Sequence, residues 1–141
     1  MEESKTLQSP YLIQLSGESN ANGALHFWEN HDLFSKGIQR CFWITKVAEN
    51  ETRGNHAHWQ ESQVLVALAG KLQLEVLSAA GSLFSFDLTS ASQGLVVPAL
   101  HWVVVRFSAE AVLLGMSDRP FSEEDYIRDK SYFETLKKRY H

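Results

Sequence analysis

The chain has 141 residues, 44% of them hydrophobic, which predicts one domain with a sizeable buried core. Its net charge of −4 at pH 7 excludes a general electrostatic attraction to nucleic acid or to anionic membranes. A single cysteine excludes an internal disulfide, and the longest nearly apolar run, residues 95–105, is too short to span a bilayer. Because the first residues are polar and lack the apolar core of a signal peptide, we expect a cytoplasmic protein that partners neither nucleic acid nor membrane.

Short runs rich in β-branched and aromatic residues follow one another along most of the chain, separated by turn signals. The strand candidates are residues 11–15, 24–28, 37–47, 63–69, 71–76, 83–88, 94–97, 102–107 and 111–116. Strands at this spacing predict an all-β barrel or sandwich. From residue 122 the apolar period becomes helical, which predicts short helices outside the sheets. We expect one domain over residues 1–141, with the barrel at about 10–117 and the helical segment at about 122–140.

A histidine pair, His56 and His58, is the most informative local feature of the sequence. Arg53 and Asn55 precede it, and Gln63 begins the apolar strand that follows. Residues i and i+2 of a strand share one face, so the two imidazoles are expected to point the same way. Two imidazoles on one face can bind a metal or transfer protons near neutral pH.

The metal alternative depends on the spacing of the residues that follow this pair. An all-β chain with a His-x-His motif is typical of the cupin barrel, a small double-stranded β-helix. In metal-binding cupins a glutamate follows the pair after three or four residues, and a glycine follows after six more. Here Gln63 and Gly70 occupy those positions, and Glu61 lies out of frame. A neutral amide is a weak ligand for zinc or iron, so a metal-dependent cupin is kept only as an alternative.

The acid–base alternative needs no metal. An imidazole with an ordinary pKa near 6.5 can remove a proton next to a carbonyl at pH 7. The developing enolate oxygen needs hydrogen-bond donors, which Arg53 or Gln63 can supply. Trp43 and Trp102 can stack on a base or sugar, although strand tryptophans also serve as core. Strand alternation turns His101 inward if Arg106 faces solvent, unless a bulge at the rim reverses it.

Several segments together resemble one family. They are Arg-Gly-Asn-His-Ala-His at 53–58, Gln-Val-Leu-Val at 63–66, Phe-Ser-x-x-Ala-Val-Leu-Leu at 107–114, and Glu-Glu-Asp-Tyr-Ile-Arg-Asp at 123–129. A Val-Pro step near the His101-Trp102 pair adds to them. This set resembles the sugar 3,4-ketoisomerase cupins, which act on dTDP-4-keto-6-deoxyglucose. The resemblance covers roughly residues 23–133, and the last segment is distinctive because no general fold constraint requires it.

The resemblance implies a cupin barrel without metal or other cofactor, in a homodimer whose N-terminal strands are exchanged. It implies an isomerase that moves the ketone from C4 to C3 of a nucleotide-linked 6-deoxyhexose through an enediol. By position, His56 and His58 would carry the proton transfers. We expect the nucleotide sugar to contact Arg53, Asn55, Gln63, His101, Trp102 and Trp43.

The sequence also departs from this family at the expected site. An arginine that helps to hold the nucleotide is missing from Asn-Ala-Asn-Gly at 20–23, and Phe42 and Trp43 replace tyrosines, one of them implicated in catalysis. Ser62 replaces a glutamate, and the family's Trp-His pair is reversed in the chain. These losses keep two alternatives open, a non-catalytic sugar-nucleotide-binding cupin and a 3,5-epimerase-like enzyme.

Overall fold

A computed structural model describes residues 6–141 and consists mainly of antiparallel strands. The strands of the barrel and its N-terminal hairpin are β1 (Tyr11–Gln14), β2 (Ser16–Asn20), β3 (Gly23–Phe27), β4 (Arg40–Ile44), β5 (Thr52–His58), β6 (Gln63–Ala69), β7 (Leu72–Ser78), β8 (Leu83–Leu88), β9 (Gln93–Val97), β10 (His101–Phe107) and β11 (Val112–Ser117). The C-terminal segment contains a 3₁₀ turn (Glu123–Asp125), β12 (Tyr126–Ile127), α1 (Lys130–Thr135) and a second 3₁₀ turn (Leu136–Lys138).

Ten of these strands form two five-stranded sheets, ordered β1-β9-β6-β11-β4 and β12-β5-β10-β7-β8. Apolar side chains of both sheets form one core, because alternate residues of each strand point inward. Leu65 of β6, Leu74 of β7 and Val105 of β10 are examples of this core. The predicted cupin barrel is therefore confirmed, with short C-terminal helices outside the sheets.

A β-bulge interrupts β5 immediately before the histidine pair. Val103 of β10 pairs with His56, whereas Val104 pairs with Gly54, so Asn55 is the extra residue. Both bulge residues have positive φ, +96° at Gly54 and +60° at Asn55. A Cβ at Gly54 would lie 2.6 Å from the Val103 carbonyl oxygen, so this close approach requires glycine. Bulges re-aim neighbouring side chains, and this one sets the direction of His56.

The C-terminal segment packs against the outer face of the second sheet. Phe133 and Leu136 are buried there with Trp102, and the Trp102 and Phe133 rings lie 5.7 Å apart. The Asp129 carboxylate caps α1 by accepting from the Tyr132 amide at 3.1 Å. None of the helices within residues 6–141 is long and apolar enough to cross a membrane.

The hairpin of β2 and β3 forms a separate two-stranded sheet. Nearly all of its residues are exposed, including Leu25 at 63% and Phe27 at 49% of their surfaces. Residues 16–20 are polar and are not among the strand candidates, so β2 was missed.

Candidate active site

A cavity of about 660 Å³ lies beside the bulge in β5. Its wall comes from β4, β5, β6, β10, β11 and the C-terminal segment. Five residues predicted for the site line it, namely Trp43, Arg53, Asn55, His56 and Gln63. Val103, Val105, Leu113 and Leu65 make its floor apolar, which excludes water from one side of the site.

The two histidines lie side by side but face different surroundings. Their rings are 5.0 Å apart at an angle of 80°. His56 lines the cavity, and its Nδ1 lies 3.1 Å from the Gly54 carbonyl oxygen. Because a carbonyl only accepts, Nδ1 carries the proton in this bond, and Nε2 of a neutral His56 keeps its lone pair. His58 is buried behind it, with only 7% of its surface exposed.

Burial keeps both imidazoles neutral at pH 7. Desolvation, together with the neighbouring His58, lowers the pKa of His56 to about 4. Desolvation also lowers the pKa of His58 to about 4, against the attraction of the Asp125 carboxylate. A neutral imidazole is the form that can accept a proton.

A buried carboxylate, Glu61, organises the polar groups behind the pair. It is only 2% exposed and accepts a hydrogen bond from Arg40 Nη2 at 2.9 Å. Gln63 Nε2 also donates a hydrogen bond to Glu61. One N–H of the Gln63 amide, which was predicted to donate to an enolate, is therefore already used within the protein. His58 Nε2 lies 3.5 Å from the same carboxylate, without a hydrogen bond. Arg40 Nη1 is buried and unpartnered, so this cavity residue keeps a free donor.

The C-terminal segment places a tyrosine against the histidine pair. Tyr126 lines the cavity, and its ring centroid lies 4.9 Å from that of His56 and 4.3 Å from that of His58. The guanidinium of Arg128 lies 4.3 Å from the centroid of the Tyr126 ring. Both residues belong to the distinctive 123–129 segment, which was the signal in the sequence for their involvement.

Sequence reasoning missed Arg40, Glu61 and Tyr126 as neighbours of the histidines. Arg40 begins β4 and lies within the strand candidate at 37–47, but nothing in that strand pattern marks it as a partner of the histidines. Glu61 was noticed only because it misses the metal-binding frame. No group of three His, Cys, Asp or Glu side chains within the described residues is arranged to hold a metal ion.

The structure does not bring His101 and Trp102 to this cavity. Trp102 is out of phase with the inward-facing Val103 and Val105, so it points to the outer face and packs on Phe133. His101 is buried, but it lines a separate cavity of about 80 Å³. Its Nδ1 donates to the Ala99 carbonyl at 2.9 Å.

Two facing sheets with a histidine pair at the wall of a cavity define a cupin-type barrel built for small-molecule chemistry. The sequence model of the family described as FdtA: WxcM-like, C-terminal, matches residues 8–138. The chain belongs to this family, and the resemblance drawn from its motifs is thereby confirmed.

Relatives with assigned activities agree with this placement. The TDP-4-oxo-6-deoxy-alpha-D-glucose-3,4-oxoisomerase of Aneurinibacillus thermoaerophilus is 30% identical over 115 residues, which cover 81% of this chain and 82% of that protein. The crystal structure of QdtA, a sugar 3,4-ketoisomerase of Thermoanaerobacterium thermosaccharolyticum in complex with TDP, has a TM-score of 0.84. It is 28% identical, and the match covers 92% of this chain and 94% of that one. A His-to-Asn variant of QdtA in complex with TDP-4-keto-6-deoxyglucose has a TM-score of 0.85 at 28% identity, covering 94% of this chain and 96% of that one.

Proposed function

We propose that this protein is an isomerase that moves the keto group between C4 and C3 of a nucleotide-activated 6-deoxyhexose of the TDP-4-keto-6-deoxyglucose type. The observation that carries the proposal is the neutral His56, whose Nδ1–H is fixed by the Gly54 carbonyl while the ring lines the cavity. The relatives named above support the reaction class, since they are TDP-sugar 3,4-ketoisomerases by name.

His56 is the base in this proposal, and His58 supports it. His56 Nε2 takes the proton from C3, the sugar passes through an enediol, and the imidazolium, after exchanging its proton with solvent, delivers a proton to C4. An imidazolium whose pKa is lowered to about 4 is a stronger acid than free histidine, which favours the return step. His58 is held behind this ring and is the second member of the pair.

The remaining cavity residues are proposed to bind the nucleotide and the sugar. Arg53 presents a planar guanidinium suited to a diphosphate, at a position close to Asn55 on the bulge. Trp43 is 68% exposed while it lines the cavity, as a platform for a base or sugar would be. Gln63 and Arg40 are further polar residues of the lining, and Arg40 Nη1 is buried without a hydrogen-bond partner. No metal or other cofactor is required by this chemistry.

We also propose a homodimer in the cytoplasm. The β2–β3 hairpin supports a dimer, because an isolated two-stranded hairpin is marginal in water and this one exposes Leu25 and Phe27. The N-terminal hairpin of one protomer would then lie on the sheet of its partner. The single cysteine, which leaves no internal disulfide, is compatible with a reducing compartment.

The direct test is incubation of the protein with TDP-4-keto-6-deoxyglucose in D₂O, followed by NMR. We expect loss of the C3 hydrogen and appearance of a 3-keto product that carries deuterium at C4. Tight binding without exchange or product would contradict the isomerase and indicate a sugar-nucleotide-binding protein. Deuterium at C5 would contradict it in favour of epimerisation.

A further inference from the structure

Tyr126 is held against the histidine pair by pairing that is independent of any ligand. β12 runs antiparallel to β5, with Tyr126 opposite His58 and Ile127 opposite Ala57. The preceding residue, Asp125, accepts from the backbone amides of Gln60 at 2.9 Å and Glu61 at 3.0 Å. These bonds tie the C-terminal segment to the loop that follows the histidines. The Tyr126 ring therefore has a defined position in the cavity wall.

The phenol of Tyr126 belongs to the same cavity wall as the proposed base, His56. Its ring contacts both imidazoles and lines the same cavity as His56. Within residues 6–141 no other tyrosine lines the cavity, and Phe42 and Trp43 of β4 stand where the family has tyrosines. The charged groups around it are Arg40 of β4, Glu61 after β5, and Arg128 of its own segment.

The protonation states of the three side chains are complementary. Burial raises the pKa of the Tyr126 phenol, against the opposing charge of Arg40, so the hydroxyl keeps its proton at neutral pH. The histidines are neutral at the same pH. The cavity thus contains a base with a lone pair beside an acid with a proton, which is the combination that enolisation requires.

We propose that Tyr126 is a catalytic residue that carries the proton between the two sugar oxygens, a role that rests on the isomerase function proposed above. When His56 removes the C3 proton, the C3–H electron pair forms the C3=C4 bond. The carbonyl π pair moves to O4, which takes the proton of the Tyr126 hydroxyl. This step yields the enediol, a tyrosinate and a protonated His56.

The second half of the reaction restores both side chains. The tyrosinate takes the proton of the C3 hydroxyl, and the O3–H electron pair forms the new C3=O bond. The C3=C4 pair takes the proton of the His56 imidazolium at C4. Each side chain ends in its starting protonation state, and the sugar has exchanged a 4-ketone for a 3-ketone. No further acid, base or oxidant is needed.

The alternative role for Tyr126 is packing against the histidine rings. Tyr126→Phe separates the two roles, because it keeps the ring and removes only the hydroxyl. Tyr132→Phe is the matched control, since Tyr132 is exposed, contacts Trp59 and lies outside the cavity lining. Melting temperature and TDP affinity show whether either variant has lost its fold or its binding site.

The experiment measures kcat, KM and C3 hydrogen exchange of TDP-4-keto-6-deoxyglucose for both variants and the unchanged protein. We expect Tyr126→Phe to lower kcat and exchange by roughly 10²–10⁴-fold, the usual contribution of a general acid, with KM and TDP affinity nearly unchanged. Tyr132→Phe should retain full activity. Activity of Tyr126→Phe within about threefold of the unchanged protein would overturn this role and leave the isomerase assignment standing. Inactivity of the unchanged protein would overturn both the role of Tyr126 and the isomerase function.

Discussion

At the scale of single residues, the site depends on keeping His56 and His58 neutral. Both pKa values are lowered from 6.5 to about 4, mainly by desolvation. The base therefore stays in its active form well below neutral pH. We expect kcat/KM to stay nearly constant from pH 7 to pH 5 and to fall near pH 4, where His56 becomes protonated. A kcat/KM that falls to half its value near pH 6.5 would contradict the lowered pKa of His56.

The same shifts make stability depend on pH. Below 6.5 the unfolded chain binds protons on these histidines, while the folded chain binds them only near pH 4. Stability contributed by the neutral pair is thus complete above 6.5 and is lost as the pH falls toward 4. Between pH 7 and pH 5, the unfolding free energy measured with urea should fall less for His58→Asn than for the unchanged protein. An equal loss in both proteins would contradict this linkage.

Glu61 is predicted to stabilise the site through its buried contact with Arg40. Glu61→Gln removes the charge and leaves the Arg40 guanidinium, whose side chain is 19% exposed, without its counterion. Breaking such a pair costs about 3 kcal/mol in the unfolding free energy, which urea unfolding measures. Glu123→Gln is the control, because its ion pair with Arg128 is on the surface and should change stability little. Equal effects of the two substitutions would contradict a structural role for Glu61.

At the scale of elements, the bulge in β5 positions the base. Gly54→Ala would place a Cβ 2.6 Å from the Val103 carbonyl, at a φ of +96°. We expect it to cost about 1–3 kcal/mol and to lower kcat, because His56 loses its bond to the residue 54 carbonyl. Gly37→Ala is the matched control for Gly54→Ala, because φ at Gly37 is also positive, +78°, but no atom lies within 4 Å of the added Cβ. Urea unfolding measures the loss of stability in both variants. Gly37→Ala gives the cost of the positive φ alone, and the additional loss in Gly54→Ala is the cost of the clash.

Local patterns predicted most of the strands and the shared face of the histidines, because a period of two is visible in the sequence. The same period could have excluded Trp102, which is out of phase with the inward-facing valines. The pairing of β12 with β5 was not predictable in this way, since it joins segments that are distant in the chain. For that reason Tyr126 appeared only as part of a distinctive motif, and Arg40 and Glu61 did not appear as partners at all.

At the scale of the whole molecule, the exposed hairpin predicts that the protein is not a monomer. Phe27→Glu places a charge on the surface that the partner would cover and should produce monomers in light scattering after size exclusion. Leu83→Glu is the control, because Leu83 is 63% exposed, compared with 49% for Phe27, but belongs to β8 of the second sheet and not to the hairpin. A monomeric unchanged protein, or a dimer that survives Phe27→Glu, would contradict the proposed assembly.

The central claim is that His56 removes the C3 proton of a nucleotide-linked 4-keto sugar. The most direct measurement is the rate of C3 hydrogen exchange of TDP-4-keto-6-deoxyglucose in D₂O for the unchanged protein, His56→Asn and His31→Asn. His31 is exposed outside the cavity and controls for the substitution itself. We predict that exchange falls by at least about 10²-fold in His56→Asn, with TDP binding retained, and persists in His31→Asn. Exchange at the normal rate in His56→Asn would contradict the claim.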